Sequence, residues 1–159
     1  MDKTMDKTAD KTAAMPAEFV LHIRREIEIN APAGVVFEAL LEQSGPGFTG
    51  MDGKSQQLKL EAWPGGRWFR DLGNNTGHLW GHVQVIKPPK VLEMVGPMMM
   101  SFPVASHIQY RLTEQAGGTL LKLTHQAIGL IPPDLQDNVT KGWGEMLDLI
   151  RTAAEQKGS

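Results

Sequence analysis

A chain of 159 residues with 41% hydrophobic and 21% charged side chains has the make-up of one ordinary globular domain, able to bury about 70% of its unfolded surface. Its net charge of −2 supplies no field to draw in nucleic acid or an anionic membrane. The absence of cysteine excludes disulfides, thiolate metal sites and a cysteine nucleophile. No apolar run approaches a membrane span or a signal-peptide core, so a cytoplasmic location is the expectation.

The opening MDKTMDKTADKT repeats Asp-Lys-Thr with a four-residue period. Its acidic and basic groups cancel, and it offers too little apolar surface to offset ordering. A flexible tail over residues 1–16, ahead of one domain over 17–159, is therefore expected. From Glu18 to Asn30 the pattern alternates, with Phe19, Leu21, Ile23, Ile27 and Ile29 on one side. That predicts a strand with one wet face. Arg25 falls on the apolar side, which calls for a bulge or an end that reaches solvent. Asn30 is a candidate cap for a short amphipathic helix carrying Val36, Phe37, Leu40 and Leu41, which stops before Ser44-Gly45-Pro46-Gly47.

Short strands follow. Leu58, Leu60 and Ala62 alternate with Lys59, Glu61 and Trp63, and Pro64-Gly65-Gly66 turns the chain into RWFRDL, which carries Trp68. Asn74 to Gly77 is a second turn, leading to HLWGHVQVI, where Leu79, Gly81, Val83 and Val85 share a face by alternation. KVLEMV, carrying Met94, is a shorter strand after Pro88-Pro89, and Met98, Met99, Met100 and Phe102 lie between prolines, as a loop would. Tyr110 shares a face with Ile108 and Leu112, and His125 with Leu121, Leu123 and Ala127. From Pro132 to Lys157, Trp143, Met146, Leu147 and Ile150 recur at helical spacing. Strands joined so tightly are mostly antiparallel. The fold class is α+β: about seven strands in a curved antiparallel sheet wrapped around a long C-terminal helix, with a short helix after strand 1.

Four stretches carry a resemblance: Glu61-Ala62-Trp63-Pro64-Gly65-Gly66, Gly81-His82-Val83 with Pro88-Pro89-Lys90-Val91-Leu92, Gly118 to His125, and Gly142-Trp143 with Leu147 and Ile150. In this order they resemble the activator of heat-shock-protein-90 ATPase homologue-like family, within the START-like (SRPBCC) superfamily of helix-grip folds. The resemblance implies a largely apolar cavity between curled sheet and terminal helix. Relatives bind lipids, sterols, hormones or polyketides, and some catalyse cyclisation or dehydration.

Candidate site residues are those that face this interior by parity. They are Trp68, Leu79, Val83, Met94, Tyr110 and His125 from the strands, and Trp143, Met146, Leu147 and Ile150 from the helix. Met98, Met100 and Phe102 are candidates as an adaptable lip of unbranched thioethers. Buried Tyr110 and His125 each need a hydrogen-bond partner, which is a ligand, the backbone or one another. His78 and His82, four apart on a strand of shared polar parity, lie about 13 Å apart and are surface residues rather than metal ligands. His125 is the nearest thing to a general base, and no Ser, Asp or Glu is placed by sequence to complete a relay with it, so no catalytic residue, metal or cofactor is assigned. The first expectation is a binding protein for an apolar small molecule. A cyclase- or dehydratase-like enzyme, a chaperone-interaction module and a homodimer remain alternatives.

Overall fold

The structure, a computed structural model, describes residues 19–49, 53–98 and 101–158; the Asp-Lys-Thr repeat and Met100 lie outside them. In chain order the elements are β1 (Val20–Ile29), α1 (Ala33–Gln43), β2 (Leu58–Leu60), β3 (Arg67–Gly73) and β4 (Thr76–Lys87). These are followed by β5 (Val91–Gly96), β6 (Val104–Gln115), β7 (Gly118–Gly129) and α2 (Pro133–Gly158). One antiparallel sheet runs β1-β7-β6-β5-β4-β3-β2, so the first strand docks beside the last and β1 and β2 form the edges. This is the α+β helix-grip architecture that the pattern of elements predicts. No helix among the described residues is long and apolar enough to cross a membrane.

Alternation governs the long strands. On β6, Ser106, Ile108, Tyr110 and Leu112 are buried, and on β7 Leu121, Leu123, His125 and Ala127 are buried. Direct cross-strand partners share a face, so Tyr110 opposite Leu123 and Leu92 opposite Tyr110 extend one concave apolar surface across the sheet. The helix α2 runs about 39 Å over it. Its backbone comes nearest to β1 and α1, and the space over the middle of the sheet is filled by side chains.

The start of α1 is capped from a distance. Pro32, not Asn30, is the N-cap residue and offers no side-chain acceptor. The Ala33 N–H donates instead to Glu114 Oε1 of β6 at 3.4 Å, and the Asn30 N–H donates to Glu155 Oε2 of α2 at 2.9 Å. Thr119 Oγ1 donates to the Ala31 carbonyl at 2.7 Å. Both helices are therefore tied to the loop that joins β1 to α1.

Strict alternation fails in β4, and the failure decides which residues face inward. Trp68 is opposite Gly81 while Phe69 is opposite Leu79, so Trp80 is an extra residue in the ladder. This bulge turns Trp80 into the core, where its ring meets Trp68 edge-on at 5.2 Å, and turns Leu79 outward. The strand passes β5 closely here: a Cβ on Gly96 would stand 2.4 Å from Gly81 Cα. A second shift between Val83 and Val85 places Ile86, not Val85, opposite buried Leu92. Leu79 and Val85 thus leave the face that alternation assigns them. The same extra residue puts His78 and His82 on opposite faces, both exposed, not on one polar face.

Two further expectations are corrected. β2 ends at Leu60, leaving Ala62 and Trp63 in an exposed turn, with Trp63 57% exposed. Along β1 the pairing with β7 is unbroken from Val20–Ile128 to Ile29–Thr119, so of the two readings for Arg25 the bulge is overturned, while the end that reaches solvent is what the edge strand shows. The bulge makes a direct forecast for stability. Trp80→Ala should cost about 3–5 kcal/mol in urea unfolding, and Leu79→Ala less than about 1 kcal/mol. An unbroken alternation would give the reverse order.

Candidate functional site

The concave face of β6 and β7 brings three of the predicted residues together beneath the middle of α2. Tyr110 and His125 both stand edge-on to the indole of Trp143, at ring-centroid distances of 6.1 and 5.7 Å. Trp143 projects from α2 because it starts the run Trp143, Met146, Leu147, Ile150, Ala154, the buried stripe of the helix. Met94 of β5, Val83 of β4 and Trp68 of β3 continue the same surface, all buried.

Each polar atom in this apolar setting has a partner. The Trp143 Nε1–H donates to His125 Nδ1 at 2.9 Å, and His125 Nε2 lies 3.0 Å from Ser106 Oγ. The Tyr110 hydroxyl shares a hydrogen bond with the Ser44 side chain, while the Trp68 Nε1–H donates to the Ser44 carbonyl at 2.7 Å. No buried side-chain nitrogen or oxygen among the described residues is left unpaired. Ser44, the residue that ends α1, thus ties that helix to β3 and β6.

These bonds fix the state of the imidazole. An indole N–H is a donor only, so His125 Nδ1 must accept and the ring proton must sit on Nε2, donated to Ser106. Burial then holds the ring neutral, with its pKa pushed down to about 4. Burial likewise raises the Tyr110 phenol, which stays protonated. Ser106 and His125 have the spacing of a nucleophile and its base, yet the proton lies on the wrong nitrogen for the histidine to accept one from the serine. As arranged, the pair is a hydrogen-bonded clasp. Sequence reasoning missed Ser106 although it shares the buried parity of Ile108 and Tyr110.

Around the clasp the interior is closed. Met94, Tyr110, His125 and Ile150 are at most 1% exposed, so they adjoin essentially no space that would hold a water. Next to these four residues, the space where the resemblance implies a cavity is occupied by the chain's own side chains. Met98 is buried at the edge of this region, in a left-handed backbone conformation with its N–H donating to the Trp80 carbonyl. Leu79 and Phe102 are 49% and 43% exposed and stand apart from the clasp. Met100 is outside the described residues.

Two open depressions lie elsewhere, at the β2–β3–β4 end of the sheet. One of about 420 Å³ runs along the β2 edge by Ser55, Leu58 and Asp71. The other, of about 520 Å³, surrounds the β3–β4 hairpin by Phe69, Asn75 and Leu79. Their charges are largely committed to each other. Lys59 bonds Asp71 at 2.8 Å, and Arg67 holds both oxygens of Glu61 at 2.8 and 2.9 Å while lying over the Phe69 ring. That pairing holds the Glu61 carboxyl down at about 2. Among the described residues no cluster of side chains could hold a metal ion.

The clasp predicts how stability depends on pH. His125 binds its proton near pH 6.5 when unfolded and only near 4 when folded. The unfolded state therefore takes up protons first as the pH falls, and stability is complete above about 6.5 and declines toward 4. The loss amounts to about 3 kcal/mol across that window. Denaturant unfolding at several pH values should show this slope in the wild type, and His125→Gln should flatten it between pH 6.5 and 4.5.

By sequence, no curated protein matches the chain. Solved structures match its fold. A putative uncharacterized protein from Rhizobium leguminosarum superposes with a TM-score of 0.68 at 20% identity, over 86% of this chain and 95% of that one. CalU16 from Micromonospora echinospora gives 0.57 at 23% identity, over 87% and 77%. The di-domain ARO/CYC StfQ from the steffimycin biosynthetic pathway gives 0.64 at 12% identity, over 98% of this chain and 59% of that one. At these identities the likeness is one of fold. A family model for Activator of Hsp90 ATPase homolog 1-like protein matches residues 30–155, from the end of β1 to the last turns of α2. The chain belongs to the Activator of Hsp90 ATPase homolog 1-like family.

Proposed function

We propose that the protein binds a lipophilic or aromatic small molecule between α2 and the concave face of the sheet, in the space that Trp143, Met146, Met94 and Met98 now fill. The observation that carries this reading is the way α2 is held. Its backbone stays nearest to β1 and α1, and the middle of the sheet is spanned by aromatic and thioether side chains instead of close backbone packing. Methionine side chains repack around varied shapes at little cost. Beneath them lies a neutral clasp whose donors and acceptor are satisfied by one another. A guest that parts Trp143 from His125 meets an indole donor and an imidazole acceptor side by side.

Fold likeness to an ARO/CYC protein suits a hydrophobic guest and leaves its identity open. Binding is favoured over catalysis because His125, held neutral with its free electron pair taken by an indole N–H, is a poor proton acceptor at neutral pH.

The reading makes Met146 an incumbent in the guest's space. Native mass spectrometry and fluorescence titration with the neutral probe N-phenyl-1-naphthylamine should give one saturable site. Met146→Ala should tighten it about tenfold, because the guest no longer has to displace a side chain. Absent saturation, or an affinity unchanged by Met146→Ala, would contradict the reading.

A further inference from the structure

Arg25 is out of place for a concave-face residue. It stands directly opposite buried Leu123, with Ile23 and Ile27 as its same-face neighbours on β1. Its side chain is nevertheless exposed, so the guanidinium is open to solvent and to a solute. Among the described residues, Arg25 makes no hydrogen bond or ion pair. On the helix across the seam, Asp148 is taken by Arg151 at 3.1 Å.

The helix is shaped to admit this side chain. A Cβ on Gly144 would stand 2.8 Å from Arg25 Nη2, so a larger residue there would oblige the flexible guanidinium end to shift. Glycine inside an exposed helix costs about 1 kcal/mol against alanine, and here the cost coincides with the passage of an unpaired cation. Gly144 directly follows Trp143, and Ile23, two residues before Arg25, is opposite His125. The cation is therefore at the solvent end of the seam that leads to the clasp.

Resting on the guest-binding reading above, we infer that Arg25 is the anion anchor of that site and holds the carboxylate of an amphipathic guest whose apolar body lies beneath α2. One planar guanidinium matches one carboxylate through two parallel hydrogen bonds. A phosphate monoester, with up to two charges, would call for further cations facing the seam. No other charged residue lies on the Arg25 face of β1 and β7, so selectivity at this end comes from one charge.

The test compares cis-parinaric acid with its methyl ester, which share one apolar body and differ in the charge. Fluorescence titrations on the full chain would use the wild type, Arg25→Gln and Gly144→Ala. The wild type should bind the acid about tenfold tighter than the ester. Arg25→Gln should bring that ratio to about 1, and Gly144→Ala, which keeps the charge but displaces it, should lower it several-fold. Affinity for the ester should change far less than affinity for the acid in both variants. If acid and ester bind the wild type equally, or Arg25→Gln keeps the preference, the anchor is overturned and guest binding stands; Arg25 then only shields Ile23 and Ile27 with its stem. If neither probe saturates, the guest-binding reading falls and the anchor with it.

Discussion

A hydrogen bond from the indole of Trp143 to the imidazole of His125 sets the terms for the centre of this protein. It joins the middle of α2 to the inner surface of β7, deep in apolar surroundings where an unpaired donor or acceptor costs about 1–3 kcal/mol. Because the indole can only donate, it dictates the histidine tautomer. The tautomer directs the remaining proton to Ser106 and so to β6. One helix residue thereby fixes the polar state of two strands. The bond also tolerates only a neutral ring, which couples the helix–sheet junction to pH.

The same constraint separates binding from catalysis. A serine 3.0 Å from a buried histidine has the outline of a reactive pair. With the ring proton on the serine side and burial disfavouring the imidazolium, that outline carries no general base. What remains is a polar point inside an apolar interior, which under the proposed reading would meet one donor or acceptor of a guest. The closed packing around it sets a condition on any guest. It must replace the contacts of the aromatic and thioether side chains it displaces, and only the surplus appears as affinity. A rigid apolar body does this better than a flexible one, because less freedom is lost on entry.

Much of this was legible in the chain. Period-two patterning in β6 and β7 placed Tyr110 and His125 inward, and helical spacing placed Trp143, Met146, Leu147 and Ile150 against them. Those elements are long, so their alternation survives unbroken. Around the bulges in β4 the legibility ended. A ladder shift depends on the partner strand as much as on the strand itself, and nothing in His78-Leu79-Trp80-Gly81 says which residue is the extra one. Leu79 was misplaced onto the inner face for that reason. The cap of α1 was illegible for a related one: Glu114 comes from a strand 81 residues away. Arg25 shows the converse. Its misfit with the apolar parity was plain in sequence, and the structure shows how it is accommodated, on an edge strand where the side chain reaches solvent beside Gly144.

The most direct measurement is a structure of the chain with a saturating lipophilic carboxylate. The account predicts apolar guest atoms between α2 and the sheet, Trp143 Nε1 drawn out of hydrogen-bond reach of His125 Nδ1, and the carboxylate against Arg25. A guest bound instead at the β2–β3 or β3–β4 depressions, with the Trp143–His125 bond still at its 2.9 Å length, would contradict it.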